Sequence, residues 1–457
     1  MNRISGRAGI VLLLVLFLLA GFSFFVAEYM INANDWVLFS GSPHVYHGGN
    51  IGCGEATDRN GILLLDMNGD RTYTPDLDLR KATVHWIGDR NGSISAPALP
   101  HYAASLAGYD LVNGVYHYGE KSGTAMLTLS AAAQKTALEA MGDYKGTVAV
   151  YNYQTGEILC AVTTPTYDPD NLPPNVEEDS RYEGIYVNRF TQSSYIPGSI
   201  FKIVTLAAAL ESIPDIQQQR FVCNGTYTVG QDKIICEDAH WEQNLQEAFR
   251  NSCNCAFAQI AVQLGAQTLD HYVRKFGITQ SLTFDGIVTA EGNFEVLDAS
   301  EVNVAWSAIG QYKDQVNPCA FLNFIGSIAG GGKGAKPYLV EQIKVGAVPT
   351  YMAHVNASER IVSEETAQIL SDYLRSNVAQ KYGDENFPGL NVCAKTGTGE
   401  VGGDKKPNAM FTGFVADEEY PLAFIVCVED AGYGKTVCVP IASKVLDTCR
   451  KVLDGQA

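Results

Sequence analysis

From Ala8 to Ala27 the chain runs twenty residues without a charge, AGIVLLLVLFLLAGFSFFVA, with Arg3 and Arg7 ahead of it and Glu28 directly behind. A backbone segment that long and apolar satisfies its own N–H and C=O groups in lipid only as a helix, and about 20 residues is the length that spans the hydrocarbon core. A cleaved signal peptide has an apolar region of only about 7–15 residues and ends at a small-x-small site; the nearest approach to one is INA at 31–33. The reading is an uncleaved single-pass anchor in the plasma membrane over residues 1–31, with its basic end cytoplasmic and everything after about Asn32 outside the cell.

Beyond the anchor the chain reads as globular. With 457 residues, 46% of them hydrophobic, it is long enough for one large core and a smaller one. The formal net charge of −18 excludes a nucleic-acid partner, since phosphate binding needs concentrated Lys and Arg.

Punctuation divides the chain. Residues 32–130 are rich in Gly, Asn, Asp and Tyr, with short alternating stretches such as GILLLD and ATVHWIG, and read as a small β-containing region without catalytic signature. Ser130 stands where it would cap a helix over LTLSAAAQKTALEAMGDYKG. GTVAVYNYQTGEILCAVTTP then reads as two strands around the turn QTGE. Helical patterns fill 245–330, followed by the glycine cluster AGGGKGAKP, a helix at 363–379 and the strand NVCAKTGTG. Two more strands in AMFTGFVADEEYPLAFIVCVED and the amphipathic helix PIASKVLDTCRKVLD close the chain. Strands at both ends with helices between them predict an α+β domain whose first and last strands share one antiparallel sheet.

The chemistry begins at SSYIPGSIFKIVTLAAALES. Ser199 and Lys202 stand at i and i+3 and so face one spot from a helix. Ile200, Phe201, Ile203, Val204, Leu206 and Leu210 surround them with hydrocarbon. A serine hydroxyl attacks only after a base takes its proton, and a lysine is that base only where desolvation holds it neutral. Pro197-Gly198 ends the preceding loop and places Ser199 in the first helical turn, where its backbone N–H is free to face a developing oxyanion. Two further patterns come later, in order: Ser252 and Asn254 in AFRNSCNCAFAQIAVQLG, and Lys395, Thr396, Gly397 and Thr398 in CAKTGTGE.

Eleven cysteines cannot all pair. Cys160, Cys393 and Cys427 lie in apolar runs and read as small buried hydrophobes. Cys223 and Cys236 bracket NGTYTVGQDKII, a hairpin whose base they could join. Cys236, His240, Cys253 and Cys255 are zinc-ligand types, but their spacing is unlike paired C-x-x-C knuckles. The expectation is an exported domain with mostly free thiols and no metal.

S-x-x-K, S-x-N and K-T-G each occur once and in that order, and the trio resembles the motif set of penicillin-binding proteins and serine β-lactamases. YIPGSIFKI is similar to the segment around the active serine of penicillin-binding transpeptidases, and KGTVAVYNYQTGEILCAVTTPTYDPDN to the strand pair that opens their catalytic domain. ATDRNGILL at 56–64 resembles the D-R-N-G segment of the non-catalytic pedestal in the monofunctional, class B members, and AHWEQNLQEAFRNSCNCAFAQIA the approach to their S-x-N. The resemblance implies a pedestal over 32–140 and a transpeptidase domain over 141–457. The latter would have a five-stranded antiparallel sheet flanked by helices, an all-helical subdomain, and a cleft between the two.

It also implies a reaction, D,D-transpeptidation of D-Ala-D-Ala stem peptides of peptidoglycan, with β-lactams as covalent inhibitors. In that reading Ser199 is the nucleophile, Lys202 its base, and Ser252 the relay to the leaving amine. Asn254 holds a substrate amide. Lys395, Thr396, Gly397 and Thr398 form the strand that receives the terminal carboxylate, and the N–H groups of Ser199 and Thr398 form the oxyanion hole. No metal or cofactor is implied. Two departures from the pattern are Met410-Phe411, where many relatives have Trp-Phe, and Gly331, where NGG has its asparagine. If water replaces the acceptor amine, the same serine makes a D,D-carboxypeptidase or β-lactamase; if it is acylated once, it makes a membrane β-lactam sensor. Class A β-lactamases carry a water-activating glutamate in an E-x-x-L-N setting, and no such stretch lies between Asn254 and Lys395. The sequence shows no glycosyltransferase segment, so the expected partner is a membrane glycan polymerase of the shape, elongation, division and sporulation group.

Overall fold

The computed structural model describes residues 2–39, 42–43, 45–47, 50–109 and 122–456. One helix, Asn2–Val37, contains the uncharged run. Its Gly6–Ala33 portion is long and apolar enough to cross a membrane, with a mean hydropathy of 3.0, and among the described residues its most apolar stretch is left exposed.

The catalytic region is built on a five-stranded antiparallel sheet in the order Val392–Gly399, Asn408–Val415, Leu422–Val428, Gly146–Asn152, Ile158–Thr164. Chain-distant strands meet at its centre, where Val426 pairs with Val148 and Ile425 with Ala149. Side chains of successive strand residues point to opposite faces, and here both faces are covered. Val148 and Val150 pack with Ala133, Ala137, Val445 and Leu446 from helices Ala131–Met141 and Gly434–Leu453. Ala149 and Tyr151 pack in the other core with Phe321, Phe324 and Ile325 of helix Pro318–Ala329. Gly326 is there because any Cβ at that position would overlap the Tyr151 hydroxyl.

A second, six-stranded sheet carries the N-terminal region, in the order Val348–Met352, Val340–Val345, Gly123–Leu127, Glu55–Thr57, Leu63–Asp66, Thr72–Tyr73. Its first two strands come from the later half of the chain, so both halves contribute to one sheet. The D-R-N-G turn is a second splice. Asp58 Oδ1 accepts from the N–H groups of Asn60 and Ile62, while its Oδ2 accepts from Ala131 N at 3.0 Å, the first residue of the helix under the catalytic sheet. Ser130 Oγ caps that helix through Ala133 N.

The stretch ATVHWIG is not a strand. It lies in helix Leu77–Ile87, capped by Asp76, whose carboxylate accepts from Asp78 N and Leu79 N. The residues from Ala82 to Ile87 are all buried, which erases the one-sided pattern by which a surface helix is read. Trp86 Nε1 donates to Ala161 O at 2.6 Å and Gln134 Nε2 to Ala82 O at 2.9 Å, tying this helix to the catalytic sheet and to its covering helix.

The helical subdomain comprises Lys202–Ser212, Leu245–Arg250, Asn254–Phe276, Glu301–Ser307 and Glu364–Asn377, packed against one another beside the edge strand Val392–Gly399. The cleft between them exposes Ser199, Ser252, Asn254, Thr396, Gly397 and Thr398.

Candidate active site

Pro197 and Gly198 introduce a single tight turn, Gly198–Phe201, that continues directly into helix Lys202–Ser212. Gly198 sits at φ +52°, a conformation that favours glycine. A Cβ there would overlap the Thr398 carbonyl, and its N–H donates to Gly310 O at 2.8 Å. The turn bearing Ser199 is thus pressed against the K-T-G strand. Across this contact, a Cβ on Gly397 would come within 2.8 Å of Pro197 O and 3.0 Å of Ile200 Cγ2.

Lys202 is fully buried, with the Phe257 ring centroid 5.7 Å from its Nζ. Nζ lies 3.0 Å from Ser199 Oγ, 2.7 Å from Ser252 O, 3.1 Å from Ser252 Oγ and 2.7 Å from Asn254 Oδ1. The carbonyl and the amide oxygen only accept, so they occupy two N–H groups. The remaining direction faces two hydroxyls, which donate as readily as they accept. A neutral amine is therefore fully satisfied here, with its lone pair toward the serine. Burial pushes the Lys202 pKa down to about 8.

Ser252 and Asn254 take their places by local strain and capping. Ser252 adopts φ +54°, uncommon for a residue with a side chain, and Asn254 opens helix Asn254–Phe276 behind Cys253 as its cap. Asn254 Nδ2 donates to Ile235 O at 2.9 Å, which turns Oδ1 toward Lys202.

Lys395 is also buried, and its Nζ stands 3.0 Å from Ser252 Oγ and 3.1 Å from Thr396 O. Burial, then the charges of Lys202 and Lys381, push its pKa well below the usual lysine range. Among the described residues no salt bridge reaches Lys202 or Lys395. Strand alternation puts Lys395 beneath Ser252 while Thr396 and Thr398 line the cleft.

Sequence reading missed the partners of that strand. Tyr382, buried in the last turn of Val378–Tyr382, places its hydroxyl 3.0 Å from Thr396 Oγ1 and accepts from Thr396 N at 3.1 Å. Gln311 Nε2 donates to Thr398 O at 3.3 Å. Neither residue belongs to a spacing pattern, so no local signal points to them. None of the eleven cysteines, Cys223 and Cys236 included, is joined to another in a disulfide.

Residues 146–447 match the penicillin-binding protein transpeptidase domain. The chain belongs to that family. It is 28% identical over 359 residues to the peptidoglycan D,D-transpeptidase PbpA of Mycobacterium tuberculosis, covering 72% of each chain. It is 28% identical over 411 residues to stage V sporulation protein D of Bacillus subtilis, covering 85% of this chain and 60% of that one. The solved D,D-transpeptidase domain of a peptidoglycan glycosyltransferase from Eggerthella lenta superposes with a TM-score of 0.75 at 25% identity, over 88% of this chain and 98% of that one. The chain is thus a monofunctional, class B penicillin-binding protein, and the antiparallel sheet with flanking helices is the transpeptidase fold.

Proposed function

We propose that this penicillin-binding protein cross-links peptidoglycan stem peptides, with Ser199 as nucleophile and Lys202 as its base. Ser199 Oγ attacks the carbonyl of the penultimate D-alanine as its proton passes to Lys202 Nζ. The tetrahedral oxyanion rests on the N–H groups of Ser199 and Thr398, which the packing of Gly198 on the Thr398 carbonyl keeps together. One such donor is worth ~2.7–4 kcal/mol of barrier. The proton then crosses by Ser252 Oγ, within reach of Lys202 and Lys395, to the amine of the leaving D-alanine. An amine of a neighbouring stem attacks the ester, gives up its proton along the same path, and restores the serine.

Asn254 positions a substrate amide, and Thr396, Thr398 and Lys395 take the terminal carboxylate, the anion that two buried lysines lack. In this division, residues 1–31 are the anchor, 32–140 the pedestal and 141–457 the catalytic unit, held outside the cell. The partner is a membrane glycan polymerase, for which co-purification of the anchored chain with mass spectrometry is the direct assay.

The single observation that carries the reading is the 3.0 Å approach of Lys202 Nζ to Ser199 Oγ, with two acceptor-only oxygens on its other sides. The test is covalent labelling by a fluorescent penicillin, and then a pentapeptide assay with an amine acceptor. Ser199→Ala abolishes the label while circular dichroism is unchanged, and the native chain forms cross-linked product. Undiminished labelling of that variant overturns the assignment; acylation without any released D-alanine makes the protein a sensor instead.

A further inference from the structure

We propose that Cys223, Cys236, His240 and Cys253 form a structural zinc site that clamps the turn carrying Ser252 and Asn254. One ligand atom from each lies within 4.8 Å of all the others. Cys236 Sγ is 4.0 Å from Cys253 Sγ and 3.5 Å from His240 Nδ1. With Zn–S near 2.3 Å and Zn–N near 2.0–2.1 Å, a tetrahedral ion sets two sulfurs about 3.8 Å apart and a sulfur and a nitrogen about 3.6 Å apart. These two pairs already stand close to those spacings, and no pair in the set is farther apart than 4.8 Å. Cys255 does not belong to the set; its Sγ lies against Ile234 O at 4.0 Å. Cys223 takes the place that spacing along the chain gives to Cys255, and the expectation of a metal-free protein is set aside.

Two independent features of the fold call for such a staple. Residues 220–244 form only two-stranded ribbons, Arg220–Cys223 with Trp241–Asn244 and Thr226–Val229 with Asp232–Ile235. Their outer faces leave Val222, Ile235 and Trp241 58%, 62% and 68% exposed. Their inner faces bury Phe221, Val229 and Ile234 in the core, but a two-stranded ribbon is marginal by itself and gains from a metal that ties it down. Three of the ligands come from separate places in this segment and the fourth from the cap of the next helix, so one ion ties all of them together.

The second feature is the cap itself. Cys253 Sγ accepts from Ala256 N at 3.4 Å, so its side chain already caps the start of helix Asn254–Phe276. Four protein ligands leave no open coordination position, the mark of a structural rather than a catalytic zinc. Binding releases the thiol protons to solvent and involves no change of oxidation state. Cys236 and His240 line the cleft, which gives the ion its way in.

The consequence reaches the chemistry through one residue. Cys253 is the middle member of Ser252-Cys253-Asn254, and both neighbours bond Lys202 Nζ. Ser252 is held at φ +54°. Anchoring Cys253 to an ion fixes this turn from below, so that the serine hydroxyl and the amide oxygen stay on the lysine. Cys223, Cys236, His240 and Cys253 are in this sense positioning residues.

The test is the metal content of the full chain, purified in detergent under anaerobic conditions and then equilibrated with zinc sulfate and dialysed. About one zinc per chain is expected, with an X-ray absorption edge spectrum showing three sulfur neighbours and one nitrogen. Cys236→Ser and His240→Ala lose the ion, and Cys255→Ala keeps it. Chelation of the native chain lowers its melting temperature and slows labelling by penicillin, and zinc restores both. A native chain that retains no zinc overturns the proposal, as does a Cys236–Cys253 disulfide found by peptide mass spectrometry, or loss of metal in Cys255→Ala but not Cys236→Ser. The native measurements need no variant to fold. Metal content, the edge spectrum and the melting temperature are read without acyl transfer, so they stand or fall apart from the role of Ser199.

Discussion

Lys202 and Lys395 converge on a single hydroxyl: their Nζ atoms stand 3.1 and 3.0 Å from Ser252 Oγ, from opposite walls of the cleft. The two nitrogens are therefore no more than about 6 Å apart, where two positive charges repel by about 3 kcal/mol at an effective dielectric of 20. Both side chains are buried. Burial and this repulsion together favour a pair that holds fewer than two protons. In the proposed mechanism, a substrate carboxylate arriving beside Lys395 would favour the charged form of that lysine and leave Lys202 as the neutral one, so that binding would prepare the base.

The rate of acylation should rise with pH. Lys202 takes the Ser199 proton only when neutral, and it is neutral above its pKa, which burial pushes down to about 8. The second-order rate of penicillin labelling, measured from about pH 6 to about pH 10, climbs toward a plateau above about pH 8. A profile that is flat, or that falls with rising pH, removes the general-base role.

Lys202→Met should separate activity from stability. Methionine keeps the length and apolar packing of the side chain and removes an amine whose burial is costly, which offsets the loss of its hydrogen bonds to Ser252 O and Asn254 Oδ1. The melting temperature is expected to hold, while labelling falls by about 10²–10⁴-fold, the usual worth of a general base. Near-normal labelling in a folded variant contradicts the mechanism.

Lys395→Ala acts first on recognition. The native chain should prefer a penicillin with a free carboxylate over its methyl ester, and the variant should lose most of that preference. Acylation rates for the two compounds provide the readout; a preference that survives the substitution places the carboxylate elsewhere.

Gly198→Ala tests the contact that holds turn and strand together. The new methyl group meets the Thr398 carbonyl, and a left-handed conformation costs an L-residue roughly 1–2 kcal/mol besides. A lower melting temperature and a sharply slower label are expected. Native labelling in this variant would mean that the oxyanion donors do not depend on this packing.

Where local chemistry suffices, much of the molecule is legible along the chain. Ser199 and Lys202 are one helical turn apart, so their meeting follows from helix geometry. Strands Gly146–Asn152 and Ile158–Thr164 announce themselves by punctuation around QTGE. Ala82–Ile87 reads as extended in sequence because burial of all six residues removes the polar stripe that betrays a helix. Hairpin Val340–Met352 gives no sign that it pairs with Gly123–Leu127, since its partner lies over two hundred residues away.

The chain by itself determined the long apolar N-terminal helix, the meeting of Ser199 with Lys202, and the order of the three motifs, because each is a property of neighbours within a few turns of backbone or of the linear order itself. Only the tertiary structure decided that Lys395 reaches Ser252, that Tyr382 backs Thr396, and that Cys223 joins Cys236, His240 and Cys253. Those meetings depend on how the faces of separate elements pack, and packing of remote surfaces leaves no period or spacing in the sequence from which to read it.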